Sequence, residues 1–405
     1  MKLKTRKFPY PYKCGLAICS DIDNAASVKS FKSLMDYFNS ARPTPHGDGL
    51  NMEVGNSFWF FSNSSKKQLS YFNKLSNKET QLATIIRNLW KSGHLDTLHS
   101  WGNFDLGGFS RKYAEKSLNE LNKHGVKIPV WVNHGIGFNH QKIGDYPNMF
   151  GDDPTSSNYH LDLTLKSGCE YFWVGKSTHI IGQNCKKNLF SLSKSALQWI
   201  FKKTKYRYAK MPVYDLKNDL ATPTKLRDGN VVWEFVRFIN PWGGAGILDI
   251  NEFTEQIKPG IINRLIKNEG YMIIYTHFNE NVKNNLPEIL IKHLHHLKNR
   301  SDKGQVLIAT TSRLLKYWEV SQYVTYEVIR NKKKIEIIID KNLTSPAGSK
   351  NLDLDHLQGL TFYINTNQQC IIKFDDAQIS TKLNPPDETG QTSISIPWRK
   401  LDYYN

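Results

Sequence analysis

Hydrophobic positions follow two rhythms along this chain, and the change falls near residue 320. Before it, short apolar runs alternate with stretches at helical spacing. Leu16-Ala17-Ile18 marks a predicted strand over 14–20, and Val28, Phe31, Leu34, Met35 and Phe38 share one face of a predicted helix over 24–39. Phe58-Trp59-Phe60-Phe61 reads as a buried strand. Leu82, Ile85, Ile86 and Leu89 predict a helix over 78–91 that Gly93 stops, followed by a short strand over 95–99. Tyr113, Ala114, Leu118 and Leu121 predict a helix over 110–124 with Gly125 as its cap, then a strand over 126–132. The rhythm continues with helices over 161–167, 251–268, 286–298 and 311–318, and strands over 171–174, 231–239, 271–275 and 305–309. Residues 135–160 read as a long loop, and 176–230 carry no clear pattern.

About seven such alternations predict an α/β fold, either a (β/α) barrel or an open parallel sheet. After Trp318 the pattern changes to strands over 323–330, 334–340, 359–365, 369–374 and 392–397, separated by polar turns. That predicts a small antiparallel, sandwich-like β domain. The expected division is a barrel over 1–319 and a β domain over 320–405.

Composition is that of a globular protein, with 39% hydrophobic and 22% charged residues in 405. The net charge of +17 would attract anionic partners, but the charges are scattered. Lys332-Lys333-Lys334 is the longest basic run and falls between two strands, where a turn explains it, so nucleic acid is not the expected partner. Five cysteines without a CxxC pair exclude a disulfide scaffold and a zinc knuckle. Neither a secretory signal nor a membrane-length apolar run is read, so the expected location is the cytoplasm, with peripheral membrane contact left open.

The candidate chemistry gathers at predicted strand ends. Asp21-Ile22-Asp23 follows the first strand, and two carboxylates so placed repel unless a cation or proton compensates them. Capping of the following helix by Asp23 or Asn24 explains one carboxylate, not both. His99-Ser100-Trp101-Gly102-Asn103, Asn133-His134 and His277 end three further strands. In a barrel those ends converge on one rim, where a carboxylate and imidazoles suit a divalent cation such as zinc, cobalt, nickel or manganese. A carboxylate then serves as base and a histidine as acid.

The order of Asp21 and Asp23, then Gly93-His94 with His99-Ser100-Trp101, then a late His277 resembles the polysaccharide deacetylase superfamily of NodB-homology fold. The resemblance covers roughly residues 14–318. It implies a distorted (β/α)7 barrel and metal-assisted removal of acyl groups from sugars. By the resemblance Asp21 is the base, Asp23 and His99 are metal ligands, Asn103 stands where the family has its second histidine ligand, and His277 is the acid. Zinc is the implied metal. Asp105 or His134 could replace Asn103, and Asp21 and Asp23 could exchange roles. Trp101, Asn133, His134, His160 and Arg237 are the candidate contacts to a glycan precursor of surface-polysaccharide metabolism. The alternative is a metal-poor barrel that binds or otherwise modifies a glycan. A glycosidase fits less well, because its two carboxylates should flank the bond at ~5–9 Å.

Overall fold

The computed structural model describes residues 3–22, 25, 27–65, 68–135, 139–144, 147–185, 193, 197, 200, 218–239, 249–278, 286–332, 334–364 and 368–404. In chain order its main sheet contains β1 (Cys14–Ser20), β2 (Gly55–Phe58), β3 (Thr97–Leu98), β4 (Val130–Val132), β5 (Tyr171–Trp173), β6 (Ala221–Lys225), β7 (Val231–Phe235), β8 (Tyr271–Thr276) and β9 (Val306–Ala309). β8 pairs with β1 along its length, while β9 and β2 share the opposite edge, β9 against residues 14–17 and β2 against residues 19–20. From β2 the ladders run through β3, β4, β5 and β7, all parallel, and end on the antiparallel β6.

A closed barrel is not what these ladders draw. Among the described residues no ladder joins β6 or β7 back to β8, so the hydrogen-bonded path is open. The sheet nevertheless curls. Alternate side chains of strands from both ends of the path, among them Ala17, Cys19, Val130, Phe235, Ile273 and Tyr275, share one core. The rings of Phe235 and Tyr275 stack with centroids 6.1 Å apart. The intervening residues point outward, as the two-residue period of a strand requires. Leu16, Ile18, Met272 and Ile274 pack under helices on one side, and Leu98, Trp131 and Phe172 on the other.

The helices are α1 (Val28–Asn39), α2 (Leu82–Lys91), α3 (Arg111–Lys123), α4 (Leu161–Lys166), α5 (Ile250–Gln256), α6 (Pro259–Asn268), α7 (Glu288–Asp302) and α8 (Thr311–Tyr323). α1 starts later than expected. Its cap is Ser27, whose hydroxyl accepts from the backbone of Ser30 while Ser30 returns the bond, so capping does not occupy the Asp21-Ile22-Asp23 carboxylates. The single helix expected over 251–268 is two, because Pro259 has no N–H to donate and opens a new helix at its first position.

Past α8 the chain forms two small sheets and a hairpin around a separate core that includes Ile337, Leu357, Phe362, Ile372 and Ile394. They are not purely antiparallel: Lys334–Ile339 and Gln369–Phe374 pair in parallel. The chain ends cross the expected division at 319/320. Near the start, the Arg6 amide donates to Thr361 and Lys4 accepts from Tyr363. At the other end, the Leu401 amide donates to Glu53 and the Tyr403 hydroxyl to Asp36.

Candidate functional site

The parallel strands deliver their polar C-terminal ends to one rim, and Asp21 sits at its centre. The residue is 2% exposed and directly follows β1. Ser57 of β2 donates to its Oδ1 at 2.7 Å. His99, just past β3, brings Nδ1 to 3.4 Å from the same oxygen, and His277, just past β8, brings Nε2 to 3.8 Å from Oδ2. Each carboxylate oxygen therefore faces one imidazole.

His99 is itself held from behind. Its Nε2 lies 2.7 Å from Nδ1 of His134, which follows β4. The His134 Nε2 lies 3.7 Å from Asp105 Oδ2. Between the two histidines stands Ser100, in a left-handed conformation with φ of 56° that costs about 1–3 kcal/mol. The turn lets its hydroxyl accept from the His134 amide at 3.0 Å and donate to the Val132 carbonyl at 3.2 Å, tying the ends of β3 and β4 together. Gly135 completes the junction: a Cβ there would stand 1.8 Å from Asp105 Oδ1. Trp59 walls the pair, its ring 5.6 Å from that of His99 and edge-on to His134 at 4.7 Å.

One tautomer assignment satisfies this chain. With His134 Nε2–H toward the Asp105 carboxylate, His134 Nδ1 accepts from His99 Nε2–H. The His99 Nδ1 lone pair is then left facing Asp21, and that buried nitrogen makes no hydrogen bond among the described residues. Carboxylates behind histidines are the usual support of a metal-binding imidazole.

Asn103 does not face this centre. Its Oδ1 accepts from the Asp105 amide at 3.0 Å and its Nδ2 donates to Gln68 at 2.9 Å. The place expected for it as a ligand is thus corrected: it orients Asp105, because a carboxamide can satisfy both neighbours at once. His134 is the residue that stands beside His99. Asp23 lies outside the described residues.

The remaining candidates separate. Asn133 accepts from the Trp131 indole and the Ile143 amide and donates to the Ile143 carbonyl, so it braces the end of β4. Trp101 is fully buried and donates its indole N–H to His160 Nδ1 at 3.1 Å. His160 accepts there also from Thr164, and its Nε2 donates to the Gln141 carbonyl. Burial brings the His160 pKa down to about 4, so it is a neutral core histidine. Trp101, Asn133 and His160 therefore build the wall rather than present groups to a ligand. Arg237 stands on a separate short pairing of residues 237–238 with 177–178, its guanidinium 4.1 Å from the Trp173 ring and 4.6 Å from the Tyr275 ring. Lys142 points its ammonium at the Gly135 carbonyl at 3.4 Å, and burial lowers its pKa although Asp105 opposes the shift.

Sequence reasoning missed Ser57, Trp59 and Gln68. Ser57 carried one signal: it precedes the aromatic run of the second strand and, by alternation, belongs to the face that Asp21 joins.

The donors fit a divalent cation as a pair. A separation of 3.4 Å is the edge of a tetrahedron with ligand bonds of about 2 Å, the spacing zinc requires. Among the described residues no group of three or more His, Cys, Asp or Glu side chains forms a metal-binding cluster. Among them, too, no helix is long and apolar enough to cross a membrane. No family model matches the chain, and neither a curated protein nor a solved structure matches it.

Proposed function

We propose that the chain is a hydrolase that removes an acyl group from a sugar or glycan precursor, with its chemistry centred on Asp21. The observation that carries this is the carboxylate flanked on both oxygens by imidazoles, His99 on one and His277 on the other. Asp21 and His99 would hold a divalent cation, zinc in the first place, which when bound polarises an acyl oxygen and acidifies water. This reading exchanges the roles implied by the resemblance. Asp21 becomes the binding carboxylate, and the part of base falls to Asp23 by its place two residues on.

His134 and Asp105 fix the His99 tautomer, so its free lone pair meets Asp21 without reorganisation. Ser57 orients the Asp21 carboxylate by its hydrogen bond to Oδ1. His277 supplies the proton: its Nε2 stands at the opposite oxygen of Asp21, and from there it protonates the departing amine or alcohol. We read the curled sheet as a distorted barrel of the deacetylase kind and the substrate as a cytoplasmic precursor of surface polysaccharide.

The test is acetate release from N- and O-acetylated sugars by protein purified without chelator, beside an Asp21→Asn variant, with bound metal measured in both. Metal in the wild type only, with acetate released, supports the proposal. Equal metal in both proteins and no release on adding zinc, cobalt, nickel or manganese overturns it. It would favour a second reading, a glycan-binding barrel without the metal.

A further inference from the structure

A cleft of about 510 Å³, within the range of sites that enclose small ligands, opens between Ala25, Ser27, Gln68 and Lys74. We propose that it binds the part of the substrate adjoining the reacting sugar, and that this part carries an anion, a phosphate or a carboxylate. The proposal rests on the reading of the Asp21 centre as one that acts on sugars.

Position is the first argument. The cleft is lined by Ala25 and Ser27, at the end of the turn that begins at Asp21. It is also lined by Gln68, which accepts from Asn103, the residue that orients Asp105 behind His134. A chain of bonded groups thus runs from the cleft wall to His99.

Lining is the second. Hydroxyls and carboxamides predominate, Ser27, Gln68, Asn73 and Thr80 among them, and these exchange hydrogen bonds with sugar hydroxyls in either sense. The described lining contains no acid and two lysines, Lys29 and Lys74. Both are exposed, and neither forms an ion pair among the described residues. Two exposed lysines at a cleft whose described lining has no acid give it a local positive field.

Backbone is the third. Lys74 holds φ at 52°, a left-handed conformation that a residue with a Cβ rarely adopts. Its carbonyl accepts from the Ser62 amide at 3.3 Å, so two lining residues hold that conformation between them.

The experiment measures binding of three probes to the full chain by calorimetry: a neutral N-acetylated tetrasaccharide, one bearing a single uronic acid, and one bearing a single phosphomonoester. The Asp21→Asn variant is used beside the wild type so that turnover does not mask binding. At least one anionic probe should bind about tenfold or more tightly than the neutral one. The preference should weaken with salt and fall to about onefold in Lys29→Glu/Lys74→Glu. Which anionic probe wins tells phosphate from carboxylate. Lys29→Gln/Lys74→Gln, which only removes charge, should show the same loss and guards against misfolding of the first variant. Equal affinity for all three probes, no binding of any, or a preference that survives both double variants overturns the inference. Acetate release without anion preference sinks the cleft alone; anion preference without release sinks the reaction alone.

Discussion

Asp21 is asked to do two things, to meet His99 and to face His277, and its substitutions separate them. Asp21→Asn keeps the shape and the bond from Ser57 but removes the charge, so bound metal and activity should both fall to background. His277→Gln should leave bound metal at the wild-type level and lower kcat by about 10²–10⁴-fold, the worth of a positioned acid. Loss of metal in that variant would make His277 a ligand instead. His134→Ala removes the support of His99, and metal affinity should fall about 10–100-fold, read by competition with a chelator. Asp21, His99 and His277 could be named from sequence because each ends an apolar strand, and strand ends converge. Sequence offers Asn103 as a ligand with His134 as its possible replacement, and the structure puts His134 beside His99 and Asn103 on Gln68 and Asp105. Sequence order cannot say which way a side chain turns after a left-handed residue such as Ser100.

The strands and helices that carry these residues were readable wherever their apolar period was strong. α3 and β1 fall within a residue of their expected limits. Expectation failed where a local rule broke the period, as at Pro259, or where a strand is short and half polar, as in Ala221–Lys225 with Pro223 and Lys225 exposed. The hairpin of Asn342–Ser345 and Gly348–Asn351 was missed because its residues face solvent more than core. It has a fixed anchor all the same. Lys350 reaches Glu319 of α8 at 2.7 Å, and that 2%-exposed carboxylate also accepts from the Tyr171 hydroxyl and the Trp233 indole. Lys350→Met strands a buried carboxylate and should destabilise by about 3 kcal/mol in urea unfolding. A loss under ~1 kcal/mol would show that Tyr171, Trp233 and Ser345 satisfy Glu319 without the lysine.

For the molecule entire, acid is the revealing stress. Burial lowers the pKa of both His94 and His160 to about 4. Unfolded histidine titrates near 6.5, so below that pH the unfolded chain takes up protons that the folded chain refuses. Stability should therefore be full above pH 6.5 and decline from there toward pH 4. Asp387 extends the decline. Burial would raise it, but bonds from Thr389, Tyr363 and Arg6 outweigh that and bring it down to about 2. Its contribution is present above the unfolded value near 4 and is lost as pH falls toward 2. Melting temperature followed from pH 7 to 3 should fall steadily, with His160→Gln flattening the upper part; a flat wild-type curve between 7 and 4 would contradict both histidine assignments.

The crossing of the chain ends has a consequence in time. Lys4 and Arg6 are made some 355 positions before their partners Tyr363 and Thr361. At translation rates of about 5–20 residues per second the opening segment waits roughly 20–70 s for its sheet. Meanwhile α1 and the start of β2 wait for Tyr403 and Leu401, which reach back to Asp36 and Glu53. The nascent protein thus begins its architecture at β1 and leaves its first residues for last, so a protease added during synthesis should clip the amino-terminal segment long after the central strands have become resistant.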